Sequence, residues 1–175
     1  MIGKEKDLEI GVFHILYFSK KATYLKWYNL LLLLLTLVSF FISICIKKFS
    51  FEINIAPFAT VAITGLSFTL ALLIATTRNV FDKEDLLDLV EYDENELYTL
   101  IGPYIFTALI WLSLGLIIAI KFINIFSHVV LVNTFFNISI ITLFVMGLCN
   151  LFDLIISNIQ DLIKKIERDM NYRNK

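Results

Sequence analysis

The sequence predicts an all-α integral membrane protein with four transmembrane helices, both termini in the cytoplasm, and a fourth helix that runs on past the lipid as an amphipathic, coiled-coil-like segment. Three observations predict it. With 58% hydrophobic residues and a mean hydropathy of +0.79 over 175 residues, the chain is too apolar for a water-soluble domain. Four apolar stretches are each long enough to cross about 30 Å of hydrocarbon at 1.5 Å per residue. The basic residues are distributed unevenly between the two sets of connecting segments.

Residues 1–26 are polar and then amphipathic. On a helix Ile10, Phe13, Leu16 and Tyr17 share a face that Lys4, Lys6, Lys20 and Lys21 avoid, which suits a segment lying in the headgroup zone or packed on the protein's own cytoplasmic surface. The late, long apolar core and the lack of a small-x-small site argue against a cleaved signal peptide. The first span, 27–46, contains no ionisable side chain and is bracketed by Trp27 and Tyr28 at one edge and Lys47 and Lys48 at the other. Its uniformly bulky Leu block predicts a helix facing lipid.

The second span, 56–77, starts with Pro57 in its first turn and is rich in Ala, Gly, Ser and Thr. Lipid gives helices no hydrophobic reason to associate, so small residues that allow close backbone approach mark a packing helix. Thr60, Thr64, Ser67, Ala71 and Arg78 fall along one seam of this helix. If copies met around that seam, hydroxyls would line a pore and Arg78 would ring its cytoplasmic mouth; the competing reading is helix packing within one subunit. Residues 78–100 form an acidic cytoplasmic loop in which Asp82 can cap a short helix. The loop's acids read as a solvated face or as a dock for a basic partner or the protein's own basic tail, with Asp85, Asp88 and Glu91 the candidate positions. Weak divalent-cation binding would need ligands from several chains, because the spacing does not match a calcium loop.

The third span, 101–120, opens on Gly102 and Pro103, carries Trp111 near its middle and closes at Lys121. The fourth, 129–151, places Asn133 and Asn137 one turn apart and ends on a polar stripe of Asn150, Asp153, Ser157 and Asp161. Asp153 is a candidate ion-pair partner for Arg78, because both belong to cytoplasmic helix ends. No Gly or Pro separates this span from residues 152–175. There Phe152, Ile156, Ile159, Ile163, Ile166 and Met170 recur at alternating spacings of four and three, the heptad rhythm of a helix packing along one seam. Ile159, Ile163 and Ile166 are the candidate partner-binding positions.

Orientation follows from the lysines and arginines. Five lie before the first span, two in the 78–100 loop and five in the carboxyl tail, twelve in all, against three in the two opposite loops (Lys47, Lys48, Lys121). That places the acidic loop and the long helix in the cytoplasm and leaves little exposed on the other face. Abundant Phe, Ile, Asn and Lys are the codon signature of an AT-rich bacterial genome, so the expected location is a bacterial inner membrane.

No Walker loop, dinucleotide glycines, HExxH, GxSxG or CxxC is present, and the two cysteines lie in apolar spans. The expectation is therefore no enzyme, no catalytic residues, no cofactor, no metal site and no direct nucleic-acid contact. The expected partners are the lipid bilayer, further copies of the chain and a soluble cytoplasmic protein. Small four-span proteins with little outer surface resemble, in architecture alone, anti-phage and self-limiting effectors. The favoured expectation is a homo-oligomeric pore or membrane-perturbing effector controlled from the cytoplasm. The alternative is a non-conducting anchor or sensor that recruits a soluble partner through the acidic loop and the last helix.

Overall fold

A computed structural model describes residues 11–45, 52–79, 94–123 and 130–173. These residues are helical apart from short connections, and four of the helices are long and apolar enough to cross a membrane. The short helix α1 (Val12–Phe18) and a 3-10 turn (Lys20–Ala22) lead into α2 (Trp27–Cys45), α3 (Ala56–Asn79), α4 (Glu94–Phe122) and α5 (Val130–Arg173). Of the expected span limits, Ile46 and Val129 lie outside the described residues, as do residues 80–93 of the expected acidic loop.

The start of α3 is set by local chemistry. The Asn54 side-chain oxygen accepts from the Ala56 amide at 3.2 Å, and Pro57 occupies the first turn, where a missing N–H costs nothing. The helix α4 begins upstream of the expected span and passes straight through Gly102 and Pro103. A proline is tolerated inside such a helix because neighbouring elements re-satisfy the backbone it disrupts. Gly102 meanwhile lets the amino-terminal segment come close, since a β-carbon there would collide with Ser19.

The core forms where α3, α4 and α5 meet. Ala62, Trp111, Leu114, Ile118 and Ile140 make a closed apolar cluster, with Trp111 only 1% exposed. The Trp111 ring is gripped between two glycines: a β-carbon built on either Gly65 of α3 or Gly147 of α5 would lie 2.8 Å from its Cζ2. The indole N–H finds no acceptor there, so the ring is held for its shape. Small residues on α3 thus do serve packing within one chain, but through the face that carries Ala62, Gly65, Thr69 and Thr76.

The helix α2 rests mainly on α5. Its Leu30, Leu33, Leu34 and Leu37 point away from the bundle, as the sequence predicts. Its inner face is not merely bulk, however. Asn29 and Ser43 are buried, Thr36 shares a 2.8 Å hydrogen bond with Thr142 of α5, and Phe40 meets Phe135 edge to face.

The segment before α2 packs on the start of α4. His14 and Phe18 stack around Tyr98, Tyr24 meets Phe106, and Ile15, Ser19 and Thr23 are buried. Phe13 and Tyr17 remain exposed, so α1 is docked on one side and presents aromatic rings on the other. The segment is thus packed on its own chain along one face; Ile10 lies outside the described residues.

Candidate functional site

At the end of the bundle next to Lys26, the residues from Asn150 to Asn158 on α5 carry a layer of polar contacts that ties the other helices to α5. Asn29 of α2 and Asn150 form a reciprocal carboxamide pair. Asn150 Nδ2 donates to Asn29 Oδ1 at 2.8 Å, and Asn29 Nδ2 donates to Asn150 Oδ1 at 3.3 Å and to the Thr23 carbonyl at 3.0 Å. One turn further, Lys26 is hydrogen-bonded and ion-paired to Asp153 Oδ2. The Tyr28 hydroxyl lies 3.2 Å from Asn150 Oδ1 and 3.3 Å from Asp153 Oδ2, so it bridges the two. On the opposite flank Thr76 of α3 and Tyr104 of α4 each donate to Asn158 Oδ1 at 2.6 Å. A cavity of about 560 Å³ opens beside this layer, bordered by Lys26, Tyr104, Asp153, Ser157 and Asp161.

Within hydrocarbon or at its edge, such cross-helix bonds matter because water is not there to replace them. Each contributes about 0.6–2 kcal/mol. Asn150→Leu removes the reciprocal pair and leaves the buried Asn29 Oδ1 without its donor, while Asn29 Nδ2 keeps the Thr23 carbonyl; a buried group without its partner costs about 1–3 kcal/mol. We expect this substitution to destabilise the bundle by about 2 kcal/mol, read from unfolding of the detergent-solubilised protein in SDS. Asn150→Gln recovers part of the loss.

Beyond Asn158, α5 continues without a break to Arg173, making a helix of 44 residues. Its length is about 66 Å at 1.5 Å per residue. Phe152 (64%), Ile156, Ile159 (54%), Ile163, Ile166 and Met170 are all exposed along it. No described part of the chain covers that edge. The second predicted seam also faces outward: Thr60, Thr64, Ser67 and Ala71 are exposed. They lie on the side of α3 away from Trp111, and the Thr64 hydroxyl turns back to the Thr60 carbonyl at 2.9 Å.

Arg78 belongs to α3, but its side chain lies outside the described residues, as do Asp85, Asp88 and Glu91. The described partner of Asp153 is Lys26. Lys26 and Asn29 were not among the expected site residues, and Tyr28 was expected only as an aromatic at the edge of the span. The available cue was Asn29, the one carboxamide in a span otherwise made of aliphatic, aromatic, hydroxyl and thiol side chains.

At the Lys121 end, Lys121 donates to Asn137 of α5, the kind of cross-helix bond expected of an amide in that position. Among the described residues no group of three or more His, Cys, Asp or Glu side chains could hold a metal ion. Cys45 and Cys149 are free thiols. No family model, curated protein or solved structure matches this chain.

Proposed function

We propose that the chain is a homo-oligomeric, multi-pass protein of a bacterial inner membrane, with both termini cytoplasmic, that acts as a pore or membrane-perturbing effector controlled from the cytoplasm, in the manner of anti-phage effectors. The observation that carries this reading is the outward-facing α3 seam. The chain packs α3 through Ala62, Gly65, Thr69 and Thr76 and leaves Thr60, Thr64 and Ser67 uncovered. Among the described residues a single copy has a closed apolar core of Trp111, Leu114, Ile118 and Ile140, which favours a conduit between copies over one through a single bundle. Control from the cytoplasm is supported by the polar layer at Asn150–Asn158. A displacement of the exposed part of α5 pulls directly on side chains held by α2, α3 and α4.

The test joins two measurements on the full chain in lipid: subunit number by native mass spectrometry in nanodiscs, and ion flux or dye release from liposomes. Ser67→Leu and Thr64→Leu, which block the hydroxyl seam without touching the Trp111 core, are expected to suppress flux at least about tenfold while leaving insertion unchanged, a change of 1.4 kcal/mol or more in barrier. A monomeric mass together with liposomes that stay sealed overturns the reading.

The exposed isoleucines of α5 favour a second reading, a non-conducting anchor or sensor whose soluble partner covers Ile159, Ile163 and Ile166. Under that reading charge reversal at Asp85 and Asp88, or polar substitution at Ile159 and Ile163, abolishes co-purification of the partner and leaves the membrane sealed throughout.

A further inference from the structure

The cavity beside Lys26 is bounded by the turn before α2, the start of α4 and one face of α5. Asp153, Ser157 and Asp161 line it at four-residue intervals, so they lie on one helix face with about 6 Å between successive positions. Lys26 is held at the level of Asp153, immediately before the first span. Moving away from the hydrocarbon, the cavity therefore presents the Lys26–Asp153 pair, then the Ser157 hydroxyl, then the Asp161 carboxylate, against an apolar wall of Leu100 and Leu154.

We propose that this cavity binds the headgroup of an amine-bearing phospholipid, with the phosphate on Lys26, the ammonium on Asp161 and Ser157 between them. This rests on the membrane-spanning reading above, though not on pore formation. A lysine ammonium has three donors, and the bond to Asp153 leaves the others free to meet a phosphate oxygen. Asp161 faces the exposed Lys164 at 3.8 Å, a long contact with a solvated ammonium that holds a carboxylate weakly, so a ligand ammonium can take its place. With two carboxylates and one ammonium, the described lining favours a cation. A single metal ion fits poorly, because the carboxylates of Asp153 and Asp161 project from positions about 12 Å apart along the helix axis, whereas Mg²⁺ or Ca²⁺ needs its oxygens at about 2.0–2.6 Å.

The order of charges matches an ethanolamine phospholipid at that depth, whose phosphate lies closer to the acyl chains than its ammonium. A choline headgroup cannot donate hydrogen bonds from its quaternary nitrogen, and a glycerol headgroup carries no cation.

The full-length protein is reconstituted in nanodiscs of equal ethanolamine, choline and glycerol phospholipid, and the lipids it retains are read by native mass spectrometry. The ethanolamine lipid is expected to be enriched about tenfold, the discrimination expected of one charge-assisted hydrogen bond. Asp161→Asn returns retention to the ratio of the mixture, and Asp161→Glu keeps the enrichment. Equal retention of the three lipids by the unmodified protein, or enrichment that survives Asp161→Asn, overturns the proposal. A stable adduct with soluble phosphoethanolamine in detergent assigns the cavity to a free phospho-amine and overturns the lipid assignment. The same spectra record insertion and subunit number, so a failure to assemble is separable from a failure to hold lipid.

Discussion

Gly65→Ala is expected to cost the bundle its tight core, lowering stability by about 3 kcal/mol, at the upper end of what overpacking does. The added methyl would sit inside contact distance of Cδ2, Cε2 and Cζ2 of Trp111. The ring has little room to retreat, because Gly147 also abuts it, and a β-carbon there would lie within 3.0 Å of Cη2, Cζ2 and Cε2. Close-packed interiors pass such strain to the backbone, here by driving α3 away from α4. Gly147→Ala should act similarly, and the double variant should fall short of the sum, because both methyl groups displace one ring. Gly115→Ala is the internal control: nothing lies within 4 Å of a β-carbon at that position, so it should be neutral or slightly stabilising. With exposed Trp27 replaced by Phe, Trp111 becomes the sole tryptophan. Its fluorescence through an SDS titration then reports core opening directly.

Replacing both Ile159 and Ile163 by Asp is expected to abolish self-association while leaving a folded, inserted monomer. Both side chains are exposed in the isolated chain, so the substitutions break no contact within the described bundle. Burying an isoleucine against another copy is worth about 1.5–3 kcal/mol. Losing two per copy weakens assembly by at least about a hundredfold, since 1.4 kcal/mol is tenfold. Ile163→Leu, which keeps the apolar edge, should assemble. Native mass spectrometry across a protein dilution series in nanodiscs decides the matter. An unchanged subunit number in the double Asp variant means that the α5 edge does not hold the copies together.

What the sequence revealed and what it hid divide along physical lines. The four apolar helices were legible because the cost of leaving backbone groups unpaired in lipid forces long, uninterrupted hydrophobic runs. The continuity of α5 through Asn150 and beyond was legible because no Gly or Pro follows Gly147. The polar layer was only half visible. Asn150 and Asp153 stood out as a stripe, yet their partners Asn29 and Lys26 are more than 120 residues away in the chain. Nothing in local spacing says which helix end will meet which. The outward direction of the Thr60 seam was equally hidden, because Gly65 and Thr69 on the same helix offer an equally plausible packing stripe; choosing between them required the shape of Trp111.

The carboxamide pair between Asn29 and Asn150 spans 121 positions. In a chain threaded into the bilayer as it is made, at about 5–20 residues per second, the first helix waits roughly 6–24 seconds before its partner has been synthesised. During that interval the Asn29 amide has nothing in lipid to satisfy it from α5, so biogenesis must shelter the helix at an insertase or leave that turn in the aqueous interface until translation ends.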